Sequence, residues 1–405
     1  MSQTTLSPNA GATRAVAQTT TYFIIFSVAS GHLLNDMLQA LIPSLYPLFK
    51  TSYGLDYSQI GLITLIFQVT ASLLQPLVGM VADNRPRPFS LPIGMVLTFA
   101  GLILLSQAHS YSIVLLAAGL VGIGSSIFHP EASRVARMAS GGKHGMAQSF
   151  FQVGGNFGQA LGPLLAAYGV ATQRDVIFLS GFAILGIGIL TNVGFWYRRE
   201  VAAGAGRRRG AGVDNGLSQR TVVIAMTVLV ALVLSKQLYM SSLTNYYTFY
   251  LMETFGVSTR NAQLYLFLFG AASALGIVFG GPLADRIGRK KVIWGSILGA
   301  LPFALALPFA NLFWTAILSV LIGLIISSAF SAMVVMAQEL MPGRVGLVAG
   351  LFFGLAFGFS GLGAAALGWV ADQTSISFVY SICSILPLTG LLAIFLPNLE
   401  RKRAG

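Results

Sequence analysis

Cysteine is nearly absent from this chain. Cys383 stands alone among 405 residues, so no intramolecular disulfide can form and nothing implies an oxidised, secreted fold. Charge is scarce too. Charged residues make up 9% of the sequence, against about 25% in an ordinary soluble domain, and a soluble globule of this size would need far more polar surface. There is no G-x-x-x-x-G-K-[ST] loop to hold nucleotide phosphates, so ATP-driven work has no support. No paired Cys or His cluster marks a metal site. No nucleophile–base pair stands on adjacent helical turns, and the loops are too short for a soluble catalytic domain. An enzyme is therefore not expected, and neither is a bound cofactor.

What remains is apolar. Hydrophobic residues are 55% of the chain and the mean hydropathy is +0.77, the composition of a polytopic membrane protein. Residues 1–21 are polar, with Arg14 as their one charge. The apolar run that follows is too long for a signal-peptide core and lacks a convincing cleavage site, so it is read as a retained helix. Since about 20 apolar residues cross a bilayer core, the hydropathy pattern predicts twelve helical spans, over 22–49, 58–82, 90–109, 112–138, 147–171, 176–197, 221–251, 260–284, 292–310, 312–338, 346–370 and 376–397.

The formal net charge is +12, which could suggest nucleic acid. The distribution argues otherwise. With both termini on the cytoplasmic side, twenty of the 24 Lys and Arg residues fall on the inner side. Lys50, Arg174 and Arg260 alone fall outside, and Lys236 lies within a span. That is the positive-inside asymmetry of a membrane protein, so "RRR" at 207–209 is an orienting loop and no nucleic-acid partner is expected.

The chain repeats itself. Gly54, Gly79, Asp83 and Ser125-Ser126 recur as Gly256, Gly281, Asp285 and Ser327-Ser328 at an offset of 202. Gly142, Gly145, Phe151 and Gly162 recur as Gly343, Gly346, Phe352 and Gly363 at 201. The expected organisation is a tail over 1–21, a six-helix half over 22–197, a basic linker over 198–220, a second half over 221–397 and a tail over 398–405. Duplicated halves around a central path are the architecture of a secondary transporter.

"GPLADRIGRKK", Gly281 to Lys291, resembles the major facilitator signature G-x-x-x-D-R-x-G-R-[RK]-[RK] through Gly281, Asp285, Arg286, Gly288 and Arg289. Its first-half copy, "GMVADNRPRPF", keeps Gly79, Asp83 and Arg85 but has Pro86 where the second glycine belongs. Glycines there would let helices approach closely, and the acidic residue would favour a helix N-terminus. "GNFGQALGPLL" resembles the G-x-x-x-G-P motif of facilitator antiporters through Gly158, Gly162 and Pro163, although Ala166 and Ala167 replace a second glycine pair. The stretches "SGHLLNDM", "GSSIFHPEASRVARMASGGKHGMAQSFFQVGGNFG" and "MAQELMPGRVGLVAGLFFG" are similar to proton-coupled drug exporters of that superfamily that carry a small phosphonate antibiotic. The resemblance implies an all-α membrane protein with the twelve-helix facilitator fold, monomeric, in a bacterial inner membrane, driven by the proton gradient. Uptake of a sugar, carboxylate or organophosphate stays open as an alternative, as does a receptor that binds without transporting.

Ionisable groups at membrane depth are costly and mark pathways. Asp36 sits at the middle of the first span, with His32 one turn before it, Gln39 about one turn after it and Asn35 beside it, on one helical face. A carboxylate out of water is costly to keep charged without a partner, so Asp36 is expected to carry the coupling proton with His32 as tuner or relay. A packing hydrogen bond is the structural alternative. In the fourth span, "FHPEASRVAR" brings His129, Glu131 and Arg134 together. Glu131 is a second candidate for proton coupling, and Arg134, three residues on, is placed to regulate it or to hold an anionic substrate. A plain internal salt bridge is the alternative. Lys236 in the seventh span needs a counter-charge, from a phosphonate or, as the resemblance implies, from Asp36. Tyr239 follows it on the same helix. Gln68 with Gln75, and Gln148, Gln152, Asn156 and Gln159, form polar stripes expected to line a central cavity or to bond neighbouring helices.

Overall fold

The structure is a computed structural model that describes residues 20–72, 74–78, 87–141, 144–203, 217–341 and 345–398. The called residues Gly79, Asp83 and Arg85, with the linker over 204–216, lie outside the described residues. Among the described residues there is no β-strand. In the first half run α1 (Tyr22–Ser44), α2 (Tyr46–Tyr53), α3 (Tyr57–Ser72), α4 (Ser90–Ser106), α5 (Tyr111–Ala139), α6 (His144–Gly169) and α7 (Val176–Ala202). The second half has α8 (Gln219–Phe255), α9 (Thr259–Ile287), α10 (Arg289–Ala306), α11 (Leu312–Ser327), α12 (Ala329–Leu340), α13 (Val345–Gln373) and α14 (Ile376–Cys383), closing with a 3₁₀ segment over Leu386–Phe395.

Among the described residues each expected span is helical, the last one closing in 3₁₀ turns, but their bounds move. Among the described residues, nine helices are long and apolar enough to cross a membrane. Of the rest, α4 is short at 17 residues. The others, α1 and α6, owe their lower hydropathy to their polar stripes. The seventh span is longer than expected: α8 has 37 residues, about 55 Å at 1.5 Å per residue, and so projects beyond a hydrocarbon core of about 30 Å. Many large apolar side chains stand exposed, as with Phe309 at 89%, Phe178 at 76% and Phe23 at 71%, a surface suited to lipid.

The repeat is visible at the turn after α2 and its counterpart after α8. Gly54 and Gly256 cap these helices with φ of 63° and 65°, a left-handed conformation that glycine adopts without penalty. Two residues further on, Asp56 and Ser258 cap the next helices, accepting from the Gln59 and Asn261 amides respectively. The halves thus share their turn chemistry at the offset read from the sequence.

Close packing places the polar stripe of α1. Gly154, Gly158 and Gly162 of α6 lie against the α1 backbone at Ala29, Leu33 and Ala40. A methyl group at Gly158 would stand 3.0 Å from the Met37 amide nitrogen and closer still to the Leu33 carbonyl. The G-x-x-x-G-P motif therefore presses α6 onto α1. Gly158→Val should cost about 1–3 kcal/mol through overpacking, read as a lower unfolding midpoint of the purified protein. An unchanged midpoint would contradict this packing role.

The signature around α9 and α10 corrects one expectation. Gly288 joins the two helices at φ 102°, ψ 137°, which a side chain would strain. Gly281, expected to admit a neighbouring helix, faces open space; the adjacent Gly280 makes that approach, against Ser328. Asp285 pairs with Arg289 at 3.4 Å, and Arg289 reaches Glu339 of α12 at 2.8 Å. Arg286 is exposed.

Candidate functional site

Asp36 is 4% exposed and lies at the junction of α1, α5 and α6. Its Oδ1 accepts from Asn35 at 3.0 Å and from Gln39 at 3.3 Å. Its Oδ2 accepts from the Gln159 amide of α6 at 3.3 Å. Two imidazoles face the same carboxylate. His32 Nε2 is 3.4 Å from Oδ2 and His129 Nε2 is 3.3 Å from Oδ1. The separation of 97 positions between His32 and His129 is spanned because α5 packs beside α1, bringing both rings to one carboxylate.

Each ring is held from behind. His32 Nδ1 is 2.7 Å from the Phe151 carbonyl oxygen, and its ring stacks on Phe151 with centroids 3.9 Å apart. Gly155 leaves room for that ring, since a Cβ there would collide with it. His129 Nδ1 is 3.0 Å from the Ser125 carbonyl oxygen. The two rings meet edge to face at 5.1 Å. His129 retains 25% side-chain exposure, Gln159 is exposed and Gln39 half-buried, so the cluster is uncovered on that side.

His32, Asp36 and His129 place one ligand atom each within 4.8 Å of one another, a cluster that sequence spacing did not reveal. Three neutral amides already donate to the carboxylate, and His32 Nε2 is buried without a hydrogen-bond partner.

The other expected residues fall into two groups. Glu131, 1% exposed, lies 4.0 Å from Arg134 on α5, two residues beyond His129 toward the basic end of the helix. Gln152 and Asn156 continue the α6 stripe, half-buried. Lys236 is buried at 6% exposure in the opposite half. Its ammonium donates to the Gln237 side-chain carbonyl at 3.2 Å and lies 5.0 Å over the Phe330 ring. It does not pair with Asp36, which turns into its own half. Gln68 packs on α13, its Cβ 2.8 Å from where a Gly361 side chain would begin. Tyr239 is buried in the apolar core.

A second constellation was not foreseen. It joins the halves at the end that carries Lys50, Arg174 and Arg260. Asp372, at the end of α13, accepts from the Tyr57 and Ser58 amides at 2.8 and 2.7 Å and from the Ser58 hydroxyl at 2.5 Å. These are free donors at the first turn of α3, where the helix dipole favours a negative charge. Tyr57 donates to Glu253 of α8, and Lys50 sits 3.9 Å over the Tyr57 ring. Deeper in, Tyr46, Thr64 and Asn245 form a chain with steps of 2.5 and 2.9 Å. Arg260 donates to the Ala167 carbonyl and Gln263 to that of Ser44. A methyl group at Gly61 would stand 2.6 Å from the Ala364 oxygen, so α3 and α13 touch backbone to backbone. The chain is closed at this end.

Comparison with known proteins places these features in a family. The family model described as Major Facilitator Superfamily matches residues 28–251 and 229–405. The chain is 55% identical, over 98% of its length and 98% of the other's, to the fosmidomycin resistance protein of Escherichia coli (strain K12). It is 40% identical, over 95% of both, to an uncharacterized transporter of the same type, YfnC, of Bacillus subtilis (strain 168). Among solved structures it resembles a bacterial homolog of the human lysosomal transporter Spinster, with a TM-score of 0.71 at 15% identity, over 93% of this chain and 94% of that one. The nucleoside transporter NupG gives 0.69 at 14%, over 92% and 97%. These distant structures share the fold.

Proposed function

The chain belongs to the major facilitator superfamily, a multi-pass membrane transporter of small molecules, and on that premise we propose that it exports fosmidomycin-like phosphonates in exchange for protons by alternating access. The observation that carries this reading is the buried carboxylate of Asp36 between two imidazoles at 3.3 and 3.4 Å, a proton site uncovered on one side beside a polar helix face. The 55% identity to a fosmidomycin resistance protein supports the substrate class. Lys236 and Arg134 supply the positive charges that a phosphonate needs, Lys236 with a neutral amide as its hydrogen-bond partner. Both termini lie in the cytoplasm by the positive-inside rule, in a bacterial inner membrane, and the protein works as a monomer with the proton gradient as its energy source. The closed end is then the outer one, and the inward-facing state is the one described. Protonation of the Asp36 cluster favours that state, and substrate binding releases the proton.

Lys236→Met tests the anion site. A lysine ammonium that bonds a phosphonate directly contributes about 1.5–3 kcal/mol, so half-saturation for fosmidomycin in a counterflow assay should rise by on the order of ten- to hundredfold. Counterflow with unaltered half-saturation would remove Lys236 from the substrate site.

A further inference from the structure

The backbone carbonyls behind the two histidines fix what their other nitrogens can do. A carbonyl oxygen only accepts. The approach of His32 Nδ1 to Phe151 O at 2.7 Å calls for a hydrogen on that nitrogen. His129 Nδ1 meets both the Ser125 carbonyl oxygen at 3.0 Å and the Ser125 hydroxyl at 3.2 Å, and since a bare nitrogen would repel the nearer carbonyl, a hydrogen on Nδ1 with both oxygens accepting is the arrangement that fits. A neutral ring of that tautomer presents a bare lone pair at Nε2, and both Nε2 atoms point at oxygens of Asp36. Lone pair then faces lone pair in both contacts. Each becomes attractive only when a proton stands in it, so the geometry has two vacancies for protons. Where those protons rest follows from the carboxylate's other neighbours. The Asn35, Gln39 and Gln159 amides all donate to it, and donors of that kind favour the ionised carboxylate. The rings are the groups left to take them.

We infer that His32 and His129 each bind one exchangeable proton at Nε2, with Asp36 as the ionised acceptor they share, so that the site exchanges two protons in a transport cycle. This rests on the proton-coupled export proposed above and deepens it: the carriers are the imidazoles, and Asp36 is their common counter-charge. Two protons arriving from water turn a net negative cluster into a net positive one; both leave to water when an anion displaces them. The entry is His129, the more exposed ring. His32 is enclosed by Phe128 and Phe151 and exchanges through the carboxylate. Other charged groups near the cluster are Glu131 and Arg134 on α5, two and five residues beyond His129. From α6 the cluster meets the neutral Gln159 amide and the Phe151 carbonyl, and from the second half α8 carries Lys236, bonded to Gln237.

The chain has four histidines, few enough to resolve by ¹⁵N magnetic resonance of the full-length protein in bilayers. Substituting His109→Gln and His144→Gln together leaves the two cluster rings as the whole signal. Both should hold their neutral-state proton on Nδ1, and both should gain a second proton in one shared titration. In Asp36→Asn that shared step should split or vanish. A neutral ring protonated at Nε2, or a ring that never gains its second proton while the protein stays folded, overturns the inference. Proton counting in proteoliposomes with fosmidomycin as the probe separates it from the export reading. Two protons per drug in the native chain and one in His129→Gln support it. Equal counts in the two overturn it and leave export standing. Rings that titrate as assigned, with no proton moving alongside the drug, overturn export and leave the two-proton site intact.

Discussion

Asp36→Asn is expected to abolish export driven by a pH gradient while the protein stays folded. The carboxylate is the one negative group that both His32 and His129 face, and the amide that replaces it cannot stabilise protons on either ring. Removing one partner of a buried charge pair costs about 2–5 kcal/mol, on the order of thirtyfold or more in the population of the protonated state. The fold should survive because α1 is seated on α6 by Gly154, Gly158 and Gly162, contacts that do not involve the carboxylate. Drug efflux from everted vesicles, with an imposed pH gradient and without one, checks this. Full gradient-driven efflux by the variant, at native expression, would take Asp36 off the coupling path.

The second large effect concerns the closed end. Asp372 holds the first turn of α3 through three hydrogen bonds to a charged acceptor. Hydrogen bonds to charged groups contribute about 1.5–3 kcal/mol each. Asp372→Ala removes all three and should move the equilibrium between the two facing states by on the order of tenfold or more toward opening at that end. Spin labels at Asp56 and Thr374, in the loops flanking the contact, report the separation of α3 and α13 by pulsed electron resonance. A new, longer distance population is the expected result. A distribution unchanged from the native chain would show that the deeper contacts of Tyr46, Thr64 and Asn245 hold the end closed without it.

The sequence disclosed part of the Asp36 cluster and nothing of the Asp372 constellation. His32 and Asp36 are four apart on one helix, and helical spacing alone brings them together. His129 is legible as a polar residue at membrane depth, but its partner depends on how α5 packs against α1, which no local pattern encodes. The fold sets it at the carboxylate. Gln159 was visible as a member of a stripe; that it, rather than Gln152 or Asn156, reaches Asp36 follows from its position on α6 beyond the close approach at Gly158. The Asp372 contact was illegible for the same reason, since its partners Tyr57 and Ser58 lie 315 and 314 residues away. Symmetry was the most readable feature. Gly54 and Gly256 announce equivalent turns, and the fold builds them alike. Where a residue's task is set by chain geometry nearby, as at Gly288, sequence pattern identified it; at Gly281 the pattern was one residue away from the glycine that makes the contact.

The central claim is that drug and proton move in opposite directions through one site centred on Asp36. The direct measurement is the pH inside proteoliposomes when fosmidomycin is added on one side, with a pH dye trapped in the lumen. The account predicts proton movement against the drug, saturating with drug concentration and lost in Asp36→Asn. Drug crossing with no proton movement, or protons travelling with the drug, would contradict it.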